Sequence, residues 1–367
     1  PPAPCMHGGA SLRLAVVGAG WAGLAVAVEA MRAGHHASVF ESARTLGGRA
    51  RSLVLELPDG QATVVDNGQH ILIGVYRQTL SLMQAVGVKP RQVLRALPLT
   101  LRDAAGQGLA LPGWPAGLRP LDAAWGILRA RGWRWGDRLS LLRACLRWRA
   151  DGFQCAPSLT VAALCEALPP RVMAQLVEPL CVAALNTPAA QASAQVFLRV
   201  LRDALLGPGW GGWSPSSLLL PFAPLGELFP HAAARWLGAR GAVVRTGHRV
   251  ALLAQTPTGW LVDGDAFDAV VLAASAAESA RLAAPHAPDW ARRAAAFAYE
   301  PIVTVLVDAP GLRLGAPMIA LQDGPEAPAQ FVFDHGALGG PTGQLAFVAS
   351  GAAAWVSRGL EATGAAT

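Results

Sequence analysis

The sequence predicts an α/β fold built on a parallel sheet, and three neighbouring patterns near its start carry that prediction. Leu14 to Val17 form a continuous apolar run, typical of a strand buried on both faces of a sheet. A glycine motif, G-x-G-x-x-G, follows at once and opens into the helix-forming stretch 24–30. A second strand, 37–40, then ends at Glu41. This order predicts the first unit of a Rossmann-type dinucleotide-binding domain.

The glycines of this motif have separate expected tasks. Gly18 allows the tight turn, Gly20 lets the backbone approach a pyrophosphate, and Gly23 lets the helix pack closely on the strand. Trp21 and Ala22 lie within the motif and are expected to contact the cofactor, and the first N–H groups and the dipole of the helix that follows favour an anion. Glu41 lies near the position at which an acidic side chain binds the ribose hydroxyls, which favours a free 2′-OH over a 2′-phosphate.

A second glycine pair, in Gly47-Gly48-Arg49, begins six residues after Glu41. The spacing E-x-x-x-x-x-G-G-R resembles the glutathione-reductase-like FAD proteins of the amine oxidase and phytoene desaturase branch. The resemblance implies that the two glycines pass under the FAD phosphates, that Arg49 helps to hold that region, and that Ser42 belongs to the cofactor site with Glu41. The expected cofactor therefore changes from NAD to FAD.

A third motif is the segment D-N-G-Q-H at 66–70. It resembles the segment that returns the chain to the isoalloxazine ring in this branch, which implies cofactor contacts for Asn67, Gly68, Gln69 and His70. Two interpretations of His70 stay open. It is either a hydrogen-bonded residue that shapes the site or a residue with a chemical role.

Motifs spread over 12–348 make the resemblance narrower. They are G-A-G-W-A-G-L-A at 18–25, R-T-L-G-G-R-A at 44–50, D-N-G-Q-H-I-L at 66–72, A-L-N-T-P at 184–188, A-S-A-Q-V-F-L-R-V-L-R at 192–202 and Y-E-P-I-V-T-V at 299–305. Together they are similar to hydroxysqualene dehydroxylases, also called squalene-associated FAD-dependent desaturases. The first three motifs are shared with all desaturase-like flavoproteins, whereas the last three are narrower.

This resemblance implies an enzyme that removes the hydroxyl of hydroxysqualene reductively to give squalene, in hopanoid or related triterpene biosynthesis. Reduced FAD would supply the hydride and an apolar isoprenoid would be the substrate, while the reductant stays open. His70 and Asn186 are the catalytic candidates by motif position alone. The backbone at Val250 is expected to bind the adenine edge.

Other functions stay open. A carotenoid-type desaturase or isomerase would share every nucleotide-binding motif. Amine oxidase chemistry is disfavoured because those enzymes use a lysine near the flavin, and the only lysine, Lys89, lies just before Pro90. The stretch after Val348 does not resemble the family's closing glycine-aspartate segment. We therefore expect a C-terminally truncated chain, with a non-catalytic FAD-fold protein as a further alternative.

The length of 367 residues suits about two domains. The first contains the nucleotide-binding motifs, and a long helical insertion separates its two parts. The predicted segments are 11–77 (FAD-binding domain, first segment), 78–221 (mainly helical substrate domain), 222–280 (FAD-binding domain, second segment), 281–350 (antiparallel sheet of the substrate domain) and 351–367 (irregular, truncated end).

Composition bears on partners and location. The net charge is +6, and 118–150 concentrates arginines among four tryptophans, Trp125, Trp133, Trp135 and Trp148. This pattern fits either a helix lying on an anionic membrane or a solvated helix face with aromatic core anchors. No nucleic-acid motif accompanies the charge, so nucleic acid is not an expected partner. The five cysteines lack metal-site spacing, so no metal is expected. We expect a cytoplasmic protein, and its contact with the inner face of the membrane stays open together with the membrane-helix interpretation.

Overall fold

A computed structural model describes residues 10–56, 60, 62–114 and 119–367 of the chain. The strands within these residues are β1 (Arg13–Val17), β2 (His36–Phe40), β3 (Ser52–Glu56), β4 (Ala62–Asp66), β5 (Leu72–Ile73), β6 (Leu94–Leu97), β7 (Thr100–Arg102), β8 (Gly108–Ala110), β9 (Leu218–Pro221), β10 (Val243–Arg245), β11 (Leu253–Thr256), β12 (Gly259–Val262), β13 (Asp265–Phe267), β14 (Ala269–Leu272), β15 (Val303–Asp308), β16 (Met318–Ala320), β17 (Phe331–Asp334) and β18 (Gln344–Ala349).

The α-helices are α1 (Trp21–Arg32), α2 (Arg77–Ala85), α3 (Arg119–Leu128), α4 (Trp135–Ala150), α5 (Val161–Leu164), α6 (Pro170–Val172), α7 (Glu178–Leu185), α8 (Ala194–Leu206), α9 (Leu225–Leu228), α10 (Pro230–Gly238), α11 (Ala276–Ala283), α12 (Pro288–Ala295), α13 (Ala353–Arg358) and α14 (Leu360–Ala365). A π-helical turn, Met173–Val177, joins α6 to α7, and 3₁₀ turns lie at Pro90–Gln92 and Gly336–Leu338.

The chain divides into two compact units. The first runs to Asn67 and includes Ser81–Gln92 and Ala223–Ala298, and the second contains Gly68–Leu80, Val93–Phe222 and Tyr299–Thr367. The predicted boundaries at 77 and 280 differ from these. Residues 68–77 belong to the second unit, where β5 pairs with β9, and 281–298 belong to the first, where α11 packs on α12.

The first unit contains the predicted parallel sheet. Its strand order is β10-β2-β1-β14, every pairing is parallel, and β1 lies inside the sheet. The apolar run of β1 explains its place, because Ala15 and Val16 are fully buried and a strand between two neighbours has both faces covered. Helix α1 connects β1 to β2, as in a Rossmann unit.

Two elements of the first unit differ from what their sequence patterns predict. The apolar run 267–273 predicts one buried strand, but Phe267 pairs antiparallel with Trp260 in the sheet β11-β12-β13 and only β14 joins the parallel sheet. The stretch 226–237 predicts one helix, but it is interrupted at Phe229, where α9 ends and Pro230 begins α10. The sequence Pro-Asp-Gly at 58–60 predicts a turn, of which residues 58 and 59 lie outside the described residues.

The second unit combines helices with antiparallel sheets. The predicted sheet after residue 301 is confirmed, with strand order β15-β18-β17-β16, and two smaller sheets have the orders β5-β9-β6 and β7-β8. Its hydrophobic core includes Trp133, Trp148, Phe197 and Phe331. The core therefore draws on α4, α8 and the large sheet alike.

The prediction of an irregular segment at 351–367 was wrong, because this stretch forms α13 and α14. Its alanines favour a helix. Gly359 separates the two helices with a φ of 98°, which a glycine adopts without steric cost. The buried hydroxyl of Thr363 donates to backbone carbonyls and ties the second helix to Trp355. The stretch 159–168 predicts a helix that ends before a proline, but within it only Val161–Leu164 is α-helical.

Candidate functional site

The first glycine turn follows β1 in the first unit. Gly18 has a φ of 109°, and a Cβ at this position would lie 2.6 Å from the carbonyl oxygen of Ala273. A Cβ on Gly23 would lie 1.9 Å from the carbonyl oxygen of Gly18. The turn and the close packing of α1 on it therefore both require glycine, as the sequence predicts.

The second glycine pair lies against the first turn. Gly47 donates its N–H to the Ala19 carbonyl over 2.9 Å and forms a parallel bridge with Gly20. Gly48 has a φ of 63°, and a Cβ there would be 3.1 Å from the Cα of Gly20. Two glycine backbones thus meet at the start of α1, which gives a phosphate access to main-chain N–H groups.

Trp21 links the two loops by its side chain. Its indole Nε1 donates to the carbonyl of Ala50 over 3.0 Å, and its ring lies 5.3 Å from that of Phe229. No side chain caps α1 at Gly20, so the first N–H groups of this helix have no side-chain acceptor there. Ala22 and Ser42 are exposed, as is the side chain of Arg49.

Glu41 lies at the end of β2 and reaches back to the first glycine turn. Its Oε2 accepts from the N–H of Ala19 over 2.7 Å, and its Oε1 accepts from the N–H of Ala43 over 2.8 Å. The hydroxyl of Ser42 donates to the same Oε1 over 3.2 Å. The carboxylate therefore fixes the first glycine turn. It also lies at the position where the ribose is expected to bind.

Val250 is buried, and its carbonyl accepts from Nη2 of Arg281 over 2.6 Å. Arg281 is held in turn by Glu278 over 2.7 Å, and Glu278 also accepts from Arg249. Hydrogen bonds from Arg281 and then Arg249 lower the pKa of Glu278 to about 2. Sequence reasoning missed Arg281, although an arginine three residues after Glu278 on α11 indicates an ion pair.

Asp66 has a structural role within the first unit. Its Oδ1 accepts from the Ser52 hydroxyl over 2.7 Å and from the N–H of Leu225 over 2.9 Å. The Ser52 hydroxyl also accepts from the N–H of Gly226 over 3.1 Å. Asn67 then donates to the carbonyl of Arg49 over 3.1 Å. This network fixes the end of β4 and the start of α9.

In the second unit, Gly68 has a φ of 91° and its carbonyl lies 3.0 Å from Nδ1 of His70. A carbonyl can only accept, so Nδ1 carries the proton and Nε2 is left as the acceptor of the neutral ring. Among the residues that the structure describes, the Thr304 hydroxyl is a buried group without a hydrogen-bond partner. A Cβ on Gly68 would be 3.6 Å from this hydroxyl. A polar group thus remains beside Gly68 for a bound ligand.

The side chain of Gln69 contacts His335, which sequence reasoning missed. His335 Nε2 lies 3.1 Å from Oε1 of Gln69, and its Nδ1 lies 2.9 Å from Oε1 of Gln344. A neutral imidazole donates from one nitrogen and accepts at the other, so one of the two amides presents its N–H group to the ring. His335 therefore fixes the orientation of Gln69.

Asn186 ends α7 in the left-handed conformation, with a φ of 52°. Its Nδ2 donates to the carbonyl of Glu300 over 2.8 Å, and its Oδ1 accepts from the N–H of Gly351 over 2.9 Å. Both polar atoms are engaged by main chain, so this geometry favours a structural role over the catalytic one.

Comparison with known proteins finds relatives with similar sequences and solved structures with a similar fold. The hydroxysqualene dehydroxylase of Rhodopseudomonas palustris is 30% identical over 257 residues, which are 66% of this chain and 54% of that protein. The zeta-carotene desaturase of Capsicum annuum is 31% identical over 107 residues, 29% of this chain and 18% of that protein. Each match spans less than two thirds of the relative. A solved oxidoreductase from Methanosarcina mazei matches 95% of this chain and 81% of its own, with a TM-score of 0.67 at 16% identity.

The structural similarity confirms the predicted fold class, a Rossmann-type flavoprotein domain with a second domain of helices and antiparallel sheet. The family profile described as flavin containing amine oxidoreductase matches residues 21–348, which is most of the chain. The protein therefore belongs to the flavin-containing amine oxidoreductase family.

Proposed function

We propose that the flavin of this protein is FAD and that the first unit holds its ADP half. The residues fit such a group: Gly20 and Gly48 expose backbone at the start of α1, and Glu41 lies beside that turn. A pyrophosphate would accept from main-chain N–H groups there, and the Glu41 carboxylate would accept from ribose hydroxyls.

We propose further that the reaction is the reductive removal of the hydroxyl of hydroxysqualene to give squalene. What supports this choice is the extent of similarity: the match to the hydroxysqualene dehydroxylase covers 66% of the chain, whereas the carotene desaturase match covers 29%. When bound, reduced FAD supplies a hydride, so that a C–H bond replaces the C–O bond and the hydroxyl leaves with a proton as water.

The chain's own residues would bind and orient the substrate and handle the proton. His70 is the candidate proton donor, because Gly68 holds Nδ1 and leaves Nε2 as the nitrogen that a protonated ring offers to a leaving hydroxyl. Apolar side chains of the second unit would enclose the isoprenoid and exclude water from a developing allylic cation.

The test is product analysis with the purified protein. The protein is reconstituted with FAD, the flavin is reduced chemically without oxygen, and hydroxysqualene is added. We expect a bound-flavin absorption band and one squalene formed per reduced flavin. His70→Gln should keep the flavin band and lose most of the rate. A bound flavin with no squalene would exclude this reaction, and no flavin band after reconstitution would favour the non-catalytic alternative.

The second candidate is a carotenoid-type desaturase, supported by the similarity to zeta-carotene desaturases. That reaction runs in the opposite redox direction, since the substrate loses hydrogen and the flavin is reduced. Oxidised protein incubated with phytoene or zeta-carotene would then bleach its flavin without oxygen and form a longer polyene. Such bleaching, with no squalene from hydroxysqualene, would replace the first proposal by the second.

A further inference from the structure

The helices α3 and α4 of the second unit expose apolar side chains at helical spacing. On α3 these are Leu121 and Trp125, which are 56% and 39% exposed. On α4 Trp135, Leu139 and Leu146 are 65%, 44% and 67% exposed. Positions three or four residues apart share a helix face, so each helix presents one apolar stripe to solvent.

These exposed apolar side chains are not part of the hydrophobic core of the second unit. Helix α4 buries Leu141 and Trp148 in the core of the second unit by its other face, and Trp133 is buried just before it. The tryptophans of this region thus divide into two groups. Trp133 and Trp148 are core anchors, whereas Trp125 and Trp135 lie on the surface. The interpretation as aromatic core anchors is therefore confirmed for Trp133 and Trp148, whereas the membrane interpretation stays open for Trp125 and Trp135.

The acidic and basic side chains of this region differ in their exposure to solvent. Between residues 119 and 150 the acidic residues are Asp122 and Asp137, and both are buried, at 4% and 8% exposure. Asp137 accepts from the N–H of Arg134 and pairs with Arg171 over 3.6 Å. Six arginines on and beside the two helices are exposed, at positions 129, 131, 134, 143, 147 and 149, and the exposed carboxylate beside them is Asp151, at the C-terminal end of α4. The surface is positive because arginines outnumber this one carboxylate and the carboxylates within the two helices are buried.

Two arginines also lie over the exposed indoles. The guanidinium of Arg129 is 4.8 Å from the ring of Trp125, and that of Arg138 is 4.9 Å from the ring of Trp135. Such cation–π pairs keep an aromatic ring and a cation at the same level of a surface. Anionic headgroups above an apolar layer match this arrangement, because arginine binds phosphate while tryptophan and leucine enter the headgroup–acyl boundary.

We propose that the exposed faces of α3 and α4, the Arg–Trp surface formed by Leu121, Trp125, Trp135, Leu139, Arg143 and Leu146, dock on an anionic lipid bilayer. In the described part of the chain, no helix has both the length and the apolar character needed to cross a membrane. A second copy of the chain fits this surface less well, because a symmetric contact would bring like charges together. Nucleic acid would use the arginines but would gain nothing from exposed leucines.

The test is flotation of the full chain with vesicles of phosphatidylcholine, alone or mixed with phosphatidylglycerol. We expect partitioning onto the anionic vesicles that weakens as salt is added. Trp135→Ser with Leu146→Ser should lower the partition coefficient by about tenfold or more, because two apolar side chains no longer leave water. Arg134→Gln, Arg143→Gln and Arg147→Gln together should lower it by about two orders of magnitude, at about fivefold for each charge.

The matched control is a pair of half-exposed apolar residues on another helix of the same unit. Val196 and Leu206 on α8 are each 49% exposed, and replacing both by serine should change partitioning less than twofold. Circular dichroism and thermal unfolding must match the wild type for every variant compared. Unchanged partitioning of the Trp135/Leu146 variant would overturn the proposal. Tighter binding to a DNA duplex than to anionic vesicles, lost with the arginines alone, would overturn it in favour of nucleic acid.

Discussion

The N–H of Ala19 donates to the Glu41 carboxylate over 2.7 Å, which joins the first glycine turn to the end of β2. The other carboxylate oxygen accepts from Ala43 over 2.8 Å. One side chain thus fixes the main chain on both sides of the proposed ribose site. In the proposed function the same carboxylate also binds FAD, so its replacement should affect stability and cofactor binding together.

Glu41→Gln should weaken FAD binding by about tenfold or more and lower the free energy of unfolding by about 1 to 2 kcal/mol. The amide removes the charge that strengthens the bonds to Ala19 and Ala43 and turns one acceptor into a donor. Quenching of flavin fluorescence measures the affinity, and urea unfolding of the apoprotein measures the stability. If the variant loses stability but binds FAD with wild-type affinity, the proposed contact between Glu41 and the ribose is excluded, whereas its structural role is kept.

The control for this variant is Glu29→Gln on α1. Glu29 is exposed and pairs with Arg32 over 2.6 Å, and exposed ion pairs contribute about 1 kcal/mol or less. Its replacement should leave FAD affinity unchanged. An equal loss of affinity in both variants would indicate a general effect of charge rather than a contact with the ribose.

Gly18→Ala should be far more costly than Gly34→Ala, although both glycines have positive φ. Gly34 has a φ of 87° with open space around the added Cβ, so the cost is the left-handed conformation alone, about 1 kcal/mol. At Gly18 the new methyl would lie 2.6 Å from the Ala273 carbonyl oxygen, and β1 and β14 would have to separate. We expect a loss of about 3 kcal/mol or more in urea unfolding. Equal losses of unfolding free energy in the two variants would show that the turn at Gly18 adjusts to the added methyl group without strain.

Much of the first unit could be predicted from the sequence because its requirements are local. The apolar run of β1 and the glycines that follow it are neighbours in the chain. Gly23 is needed because of the Gly18 carbonyl in the same turn, and Gly18 is needed for the positive φ of the turn itself. For the same reason the glycine pair at 47–48 was found with the acidic residue that precedes it.

The remaining site residues depend on contacts between distant parts of the chain. Asp66 bonds to Leu225, and Asn186 bonds to Gly351, so neither partner is visible in a local pattern. His335 contacts Gln69 across an even longer separation. A helical period indicates that one face of α4 is buried, but the sequence alone does not say whether Trp135 or Trp148 lies on it.

Replacing Glu278 by Gln should change how the free energy of unfolding depends on pH. Hydrogen bonds from Arg281 and Arg249 lower the pKa of Glu278 from 4.5 to about 2 in the folded chain. A carboxylate with a lowered pKa contributes stability above pH 4.5, and this contribution disappears as the pH falls toward 2. The difference in unfolding free energy between wild type and Glu278→Gln should therefore be full at pH 7 and shrink between pH 4.5 and 2.

Urea unfolding at pH 7, 4.5, 3.5 and 2.5 measures this difference. The matched control is Glu361→Gln, at an exposed glutamate on α14, for which we expect a small difference at every pH. A difference between wild type and Glu278→Gln that stays constant from pH 7 to 2.5 would show that the two arginines do not stabilise the ionised carboxylate. Because Arg281 also bonds to the Val250 carbonyl, the same variant tests whether this arginine orders the proposed adenine edge.

Asn186→Ala and Asn186→Gly separate a structural role from a catalytic one. Alanine removes the bonds to Glu300 and Gly351 and also adopts the left-handed conformation poorly, so we expect a loss of about 2 to 3 kcal/mol in urea unfolding. Glycine loses the same two bonds but tolerates the conformation, so its cost should be about 1 kcal/mol smaller. Turnover per bound flavin should stay near the wild-type value in the folded fraction of both variants. A catalytic Asn186 would give the opposite pattern, with turnover lost equally in both variants and little change in unfolding.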